Sequence, residues 1–215
     1  QCEPDLDAAY GIFDANETLV GCGCAAASLL KCFAVSEELR GQNALGSLLS
    51  ALIENRFQRG YFDLFVITRR EKAQLFSSCG LRLLAETGTL AMLENRPDGP
   101  ERYTAQVLSA LPPHDKKTVG AIVMNCNPFT LGHRALVEYA AAKVDLLCLF
   151  VVEENRSLFP TKVRFQLVKE GVKDLPNVHV FLSGPYMISG NTFPTSFLKA
   201  GEDAAALQCE LDATL

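Results

Sequence analysis

An apolar run that ends abruptly in a polar, turn-forming loop constrains this chain more than any other feature. Residues Val119 to His133 read VGAIVMNCNPFTLGH. Ala121 to Met124 has the length and flanks of a buried parallel strand, and Arg134 to Lys143 follows as a helix with Leu136, Tyr139 and Ala140 on one side. A strand that passes its chain to a helix through Asn, Pro, Thr and Gly-His belongs to an α/β sheet, with the loop at the carboxyl edge. Asn127 or Thr130 caps the new helix, Gly132 lets a ligand approach the backbone, and His133 falls in the first turn facing the same opening. Amide donors, a helix dipole and an imidazole converge there, which is how such proteins hold an anion.

Composition sets the outer bounds. The 215 residues are 48% hydrophobic, enough for one large or two small cores, and 21% charged, as in ordinary soluble globular proteins. A net charge of −5 without a basic cluster argues against a nucleic-acid surface. No apolar run approaches the roughly 20 residues of a membrane helix, and no signal peptide is recognised. A start at Gln1 and a stop inside an apparent helix near Leu215 lead to the expectation that both ends are trimmed.

Cysteine usage points to a reducing compartment. Cys22 and Cys24 sit one residue apart in an apolar strand, and Cys2, Cys32, Cys79, Cys126, Cys148 and Cys209 are scattered, with no CxxC pair. The three histidines, His114, His133 and His179, lie far apart in sequence, so no metal site is expected and buried free thiols in the cytoplasm account for the count. Cys126, inside the loop, is expected to be a point of oxidative inactivation.

Two domains are expected. Residues 96 to 118, RPDGPERYTAQVLSALPPHDKKT, carry four prolines and no sustained period, which suits a linker with one short helix. This gives a first domain over 1–99, a linker over 100–118 and a second domain over 119–215. The first reads as strand, turn, strand, strand, helix, strand, helix, strand. Tyr10 to Phe13 and Thr18 to Gly21 flank a turn at Asp14 to Glu17, then come a strand at Leu29 to Val35, a helix from about Asn43 to Phe57 and a strand at Phe62 to Ile67. Phe76 to Glu86 ends a short helix and opens a further strand. The second domain alternates strands and helices as βαβ units, with strands at Asp145 to Glu154 and Asn177 to Leu182 and a helix at Lys162 to Lys173 capped by Thr161. A sheet of this kind brings the loops after Met124 and Val152 together, making Arg164 a candidate phosphate partner, with Arg156 a similar but usually solvated cation. Lys162 in the first helical turn opposes the helix dipole unless an anion lies close.

Two resemblances follow from these residues. RGQNALGSLL after a strand resembles the pyrophosphate loop of GNAT acetyltransferases, although Asn43 and Leu45 stand where that family prefers Gly or Ala. Leu45 is expected to crowd a phosphate, which leaves a GNAT-like domain that packs and positions its neighbour rather than transferring acetyl groups. The pattern NxNPFTxGH resembles the HxGH signature of the nucleotidyltransferase superfamily, with Thr130 in place of the first His. Together they imply an α/β protein: an N-terminal GNAT-like α+β fold followed by a Rossmann-like nucleotidyltransferase parallel sheet. The resemblance also implies a basic SxSxxR motif farther along, contacting the ATP phosphates. No such run appears before Leu215, so that sheet is expected to be incomplete at its C-terminus and residues 1–215 alone to bind ATP weakly and fail to form acetyl adenylate.

From IVMNCNPFTLGH to FPTSFLK, with the GNAT-like part before it, the chain is similar to the citrate lyase ligase family of bacterial cytoplasmic enzymes. The resemblance implies ATP-dependent acetylation of the prosthetic-group thiol of the citrate lyase acyl carrier subunit, with acetate and Mg²⁺, through acetyl adenylate, releasing AMP and pyrophosphate. It implies catalytic roles for His133 and Thr130 and ATP contacts from Met124, Asn125, Asn127, Phe129, Thr130, Gly132, His133 and Arg164, with no resident metal. Two alternatives stay open: another adenylyltransferase, of the phosphopantetheine or nicotinamide mononucleotide type, and a non-catalytic module that recognises CoA or a carrier.

Overall fold

A computed structural model describes residues 6–113, 115, 118–154, 158–188 and 193–215, so His114, Arg156 and Cys2 lie outside the described residues. The chain forms two compact units, Gln1–Gly99 with Thr192–Leu215, and Pro100–Asn191.

The first unit is a six-stranded mixed sheet in the order β1-β2-β3-β4-β6-β5. Its strands are β1 (Ala8–Phe13), β2 (Leu19–Ala26), β3 (Leu29–Val35), β4 (Phe65–Arg69), β5 (Arg82–Glu86) and β6 (Leu90–Glu94). Asp14 makes the first hairpin, its Oδ1 accepting from the amides of Asn16 and Thr18 at 2.8 Å each, the local bonding that fits Asp to turns. Helix α1 (Ala44–Gln58) follows β3 and buries Ala44, Leu48, Leu49 and Leu52, a stripe at helical spacing. Leu49 and Leu52 join Leu30, Leu64, Val66 and Leu93 in one apolar cluster, each such side chain stabilising the fold by about 1.5–3 kcal/mol. Helix α2 (Ala73–Ser78) adds Ala73 and Phe76. The mixed sheet and its strand–helix–strand order agree with the GNAT-like reading. Strand β6 is an addition to that reading: Thr87 Oγ1 accepts from the amides of Thr89 and Leu90 at 3.2 and 2.9 Å and reverses the chain after β5. Strand β4 starts at Phe65 rather than Phe62 because the Leu64 amide is tied to Asn95 Oδ1 at 2.8 Å, outside the ladder.

The second unit is a parallel sheet, β7 (Val119–Met124), β8 (Leu146–Val151) and β9 (Val178–Leu182), in that order. Register runs Ala121 to Cys148 to His179. Helices α4 (Leu131–Ala141) and α5 (Thr161–Gly171) connect the strands and bury Val137, Ala141 and Val168 against Leu147, Leu149 and Val151. The side of α4 expected to be apolar is corrected here. Ala140 packs on this core, but Leu136 and Tyr139 are exposed, because Val137 and Ala141, four apart, point at the sheet and Leu136 sits about 100° round the helix from Val137. Thr161 is the first residue of α5 and Pro160 its cap, one position from the expectation.

The expected linker holds a full helix, α3 (Gly99–Ala110). Tyr103 fixes it, its hydroxyl donating to the Leu182 carbonyl at 2.8 Å while its ring packs on Tyr186. Gly184, at φ 60°, admits that ring, since a Cβ there would meet Tyr103 at 2.9 Å. The chain after residue 192 differs from the expected division, packing with the first unit through helix α6 (Ala204–Thr214), which lies on β5 and β6.

Candidate functional site: the loop between β7 and α4

The loop leaves β7 at Asn125 and enters α4 at Thr130. Between them Cys126 adopts φ 53° and the Asn127–Pro128 peptide is cis. Thr130 is the N-cap, in extended conformation, and forms a capping box with His133 at the third helical position. The box defines the imidazole. His133 Nδ1 accepts from the Thr130 backbone N–H at 3.1 Å and lies 2.8 Å from Thr130 Oγ1. A nitrogen that accepts an amide proton carries none itself, so the neutral ring holds its proton on Nε2, which is left as a donor. Phe129 stacks on the same ring, centroids 5.9 Å apart and planes 23° apart. Gly171 makes room for Phe129, because a Cβ there would come 2.4 Å from its Cε1.

Gly132 is the second residue of α4, and a Cβ added to it would meet nothing closer than Thr130 Oγ1 at 3.8 Å. Among the described residues no packing therefore calls for glycine at a position where Ala would favour the helix. The first-turn amides of Leu131 and Gly132 have no intrahelical acceptor, and the helix dipole adds positive potential. The arrangement can hold an anion among two amides and an imidazole N–H, with the Thr130 hydroxyl donating to His133 Nδ1 and fixing the ring.

Arg164 stands elsewhere. It is fully buried, and it donates to the carbonyls of Phe159 (3.0 Å), Asn125 (2.6 Å), Val152 (2.9 Å) and Glu154 (2.7 Å), and to Asn125 Oδ1 and Thr161 Oγ1, both at 2.9 Å. Six acceptors engage its five N–H groups. The expectation that Arg164 faces a triphosphate is corrected: it joins the loop after β7 to the loop after β8 from beneath. The two loops do meet, as a sheet of this topology requires.

Asn125 and Asn127 share in that construction. Asn125 Nδ2 donates to Glu154 Oε1 at 3.1 Å, and Asn127 Oδ1 accepts from the Phe159 amide at 3.0 Å. Both side chains remain exposed. Met124 is buried in the core cluster, so only its backbone belongs to the loop, its carbonyl accepting from the Val152 amide at 2.9 Å. Cys126 is 1% exposed, and burial pushes its thiol up to about 11 against the opposing pull of Arg164. A thiol so placed resists forming the reactive thiolate, which corrects the expectation of oxidative inactivation there.

Glu154, 3% exposed, was missed by sequence reasoning. Its signal is faint, an acidic pair closing the apolar run LLCLFVVEE. Asp174 was missed as well. It pairs bidentately with Arg134, which also reaches Glu138 and the Gly171 carbonyl and so ties the start of α4 to the end of α5. Arg134 holds the Asp174 carboxyl down at about 2. Among the described residues no group of three or more His, Cys, Asp or Glu is placed to hold a metal ion, and no helix is long and apolar enough to cross a membrane.

A parallel sheet whose first strand ends in a capped, histidine-bearing helix start defines a nucleotidyltransferase-like α/β unit. Residues 119–215 match the family described as the citrate lyase ligase C-terminal domain. The chain is 41% identical over 199 residues to the [citrate [pro-3S]-lyase] ligase of Klebsiella pneumoniae, covering 92% of this chain and 56% of that protein. It is 39% identical to that of Escherichia coli K12, covering 86% and 52%, and 37% identical to that of Haemophilus influenzae, covering 87% and 56%. The chain is thus similar to citrate lyase ligases, and it spans about half the length of the curated relatives it matches. Among solved structures, a putative acyl-CoA N-acyltransferase of Klebsiella pneumoniae covers 40% of this chain and 69% of its own, at 22% identity and TM-score 0.37. Nourseothricin acetyltransferase covers 42% and 65%, at 15% identity and TM-score 0.37.

Proposed function

We propose that this chain carries an ATP site of a ligase that acetylates the prosthetic-group thiol of the citrate lyase acyl carrier subunit. The observation that carries the reading is the start of α4, where Gly132 leaves the backbone open and the capping box, by engaging Nδ1, leaves His133 Nε2–H as a donor. The names of the relatives supply the context of citrate lyase. An acetate oxygen would attack the α-phosphorus of ATP and expel pyrophosphate. The carrier thiolate would then attack the acetyl carbon of acetyl adenylate and expel AMP. The first step gathers negative charge on non-bridging phosphate oxygens, and preorganised donors stabilise that charge in the transition state. His133 Nε2–H and the Leu131 and Gly132 amides are those donors in this reading, while the Thr130 hydroxyl, its proton directed at His133 Nδ1, holds the imidazole in place, and no enzyme nucleophile is needed. Mg²⁺ would arrive on the phosphates, as it binds through few protein carboxylates, and would neutralise part of their charge. Asn125 and Asn127 shape the loop, and Arg164 supports it.

The test is acetate-dependent exchange of labelled pyrophosphate into ATP by the full-length protein, followed by addition of deacetylated citrate lyase. Exchange with formation of AMP and acetylated carrier is expected. Release of a dinucleotide would instead indicate an adenylyltransferase that keeps the adenylyl group in its product, and nucleotide binding without exchange would indicate a binding module.

A further inference from the structure

Strands β3 and β4 are paired over two positions only, Leu29 with Phe65 and Leu30 with Val66. Beyond these β3 continues along β2, its register shifting beside Cys32, which adopts φ 57°, while β4 continues along β6. The two strands thus diverge toward their carboxyl ends. One segment of the chain touches a residue on each side of that divergence. Ser196 Oγ lies 3.7 Å from Cys32 Sγ on β3. The Phe197 carbonyl accepts from Arg69 Nη2 at the end of β4 at 3.1 Å, and the Phe197 ring centroid lies 5.8 Å from the guanidinium. Glu202 then takes the same guanidinium bidentately, through Nη1 at 2.7 Å and through Nη2.

The segment is shaped for this contact by its own turns. The Leu198 amide donates to the Thr195 carbonyl, the Glu202 amide to the Lys199 carbonyl, and the Lys199 amide to Glu202 Oε2 at 2.7 Å. Asp203 caps α6 immediately afterwards, and the fully buried Leu211 anchors that helix. Arg69 itself is 9% exposed, yet its Nε is buried with no hydrogen-bond partner among the described residues. That separates it from Arg164, every donor of which is bonded. A saturated buried guanidinium is a permanent joint, whereas one with an orphan donor is held less completely.

We infer that Ser196–Glu202 is an openable strap across the divergence of β3 and β4, latched by the Arg69–Glu202 pair. The strap closes the gap between the strands with the protein's own chain, so a ligand entering there must displace it. Glu202 is held at about 2 by Arg69, so the latch is fully charged at neutral pH.

Cys32 reports on the strap, because Ser196 lies over its sulfur. The test is alkylation of the whole chain with iodoacetamide, with the modification at each cysteine mapped by mass spectrometry, in the wild type, Glu202→Gln and Arg69→Lys. Hydrogen exchange of the peptides spanning 193–203 and α1 is followed in parallel. Both variants are expected to speed Cys32 modification and exchange over 193–203 by roughly tenfold or more, with the buried Cys24 and α1 unchanged. An unchanged Cys32 rate would overturn the latch. Cys32 rising only together with Cys24 and α1, or failure of both variants to fold, would show the segment to be a fixed part of the core.

Discussion

The two units each place a helix start directly after a strand and a polar loop, and they treat it in opposite ways. At the start of α1, Asn43 takes the left-handed conformation at φ 57°, and its carboxamide lies over Gly46, where a Cβ would be 2.3 Å from Asn43 Oδ1. The first turn is covered by its own cap residue. At the start of α4 the space beside Gly132 is open and the cap residue is bonded to His133 instead. The expected fault in the first loop, a Leu45 crowding the phosphate, is not the one observed, since Leu45 packs against the core. Asn43 fills the place. A helix N-terminus is therefore only a potential anion site, and the side chain at its mouth decides whether the first turn is covered or left open to a ligand.

The largest expected effect lies beneath the open loop. Arg164→Leu would leave the carbonyls of Asn125, Val152, Glu154 and Phe159 short of a donor in a buried place. It should lower the stability of the second unit by about 3 kcal/mol or more in urea unfolding, with nucleotide binding lost alongside. A cost under about 1 kcal/mol would mean that the two loops hold together without it.

His133→Gln separates the cap from the chemistry. Gln at the third helical position can still accept from the cap amide, so stability should change by no more than about 0.5 kcal/mol, while acetate-dependent exchange should fall by about 10² or more. Near-normal exchange would remove His133 from the site.

The contrast itself is broken by exchanging its two small features. Gly132→Ala should raise helix stability by about 0.5–1 kcal/mol and weaken ATP roughly tenfold in calorimetric titration. Asn43→Gly should strengthen CoA binding by the whole chain, but only a few-fold, because the strap over the β3–β4 divergence stays in place. Equal responses of the two loops would mean that occupancy of the mouth is not what distinguishes them.

The smallest effect is on pH dependence. Arg134 depresses the Asp174 carboxyl from 3.8 to about 2. A group lowered on folding contributes stability that is complete above its unfolded value and is lost as pH falls through its folded one. Asp174→Asn should therefore be destabilising at pH 5 and nearly neutral near pH 2, as read by thermal unfolding at each pH.

Much of the fold was legible because short-range rules dominate it. The apolar run at β7, the turn residue Asp14 and the cap Thr130 each act on neighbours within four positions, and each forms the expected element, although β7 is an edge strand with Val119 and Val123 exposed rather than the buried strand its apolar run suggests. Strand β6 was harder to see, as its apolar LAML run follows β5 after a turn of only three residues. At the site, Thr130, Gly132 and His133 were readable together for the same local reason. The parts of Arg164, Asn125 and Glu154 were not, because the partners that join the two loops lie 7 to 39 residues away.

By itself the sequence determined the two kinds of sheet, the helix start at Thr130 and the order of residues that puts Gly132 beside His133. Hydrophobic period and capping are properties of a few consecutive side chains. Only the tertiary structure decided that Arg164 is a joint rather than a ligand contact, that Asn43 covers its own helix, and that the chain after residue 192 returns to the first sheet. Those outcomes depend on which distant carbonyls and carboxylates reach a given side chain, and a buried donor goes to whatever acceptor the packing places within about 3 Å.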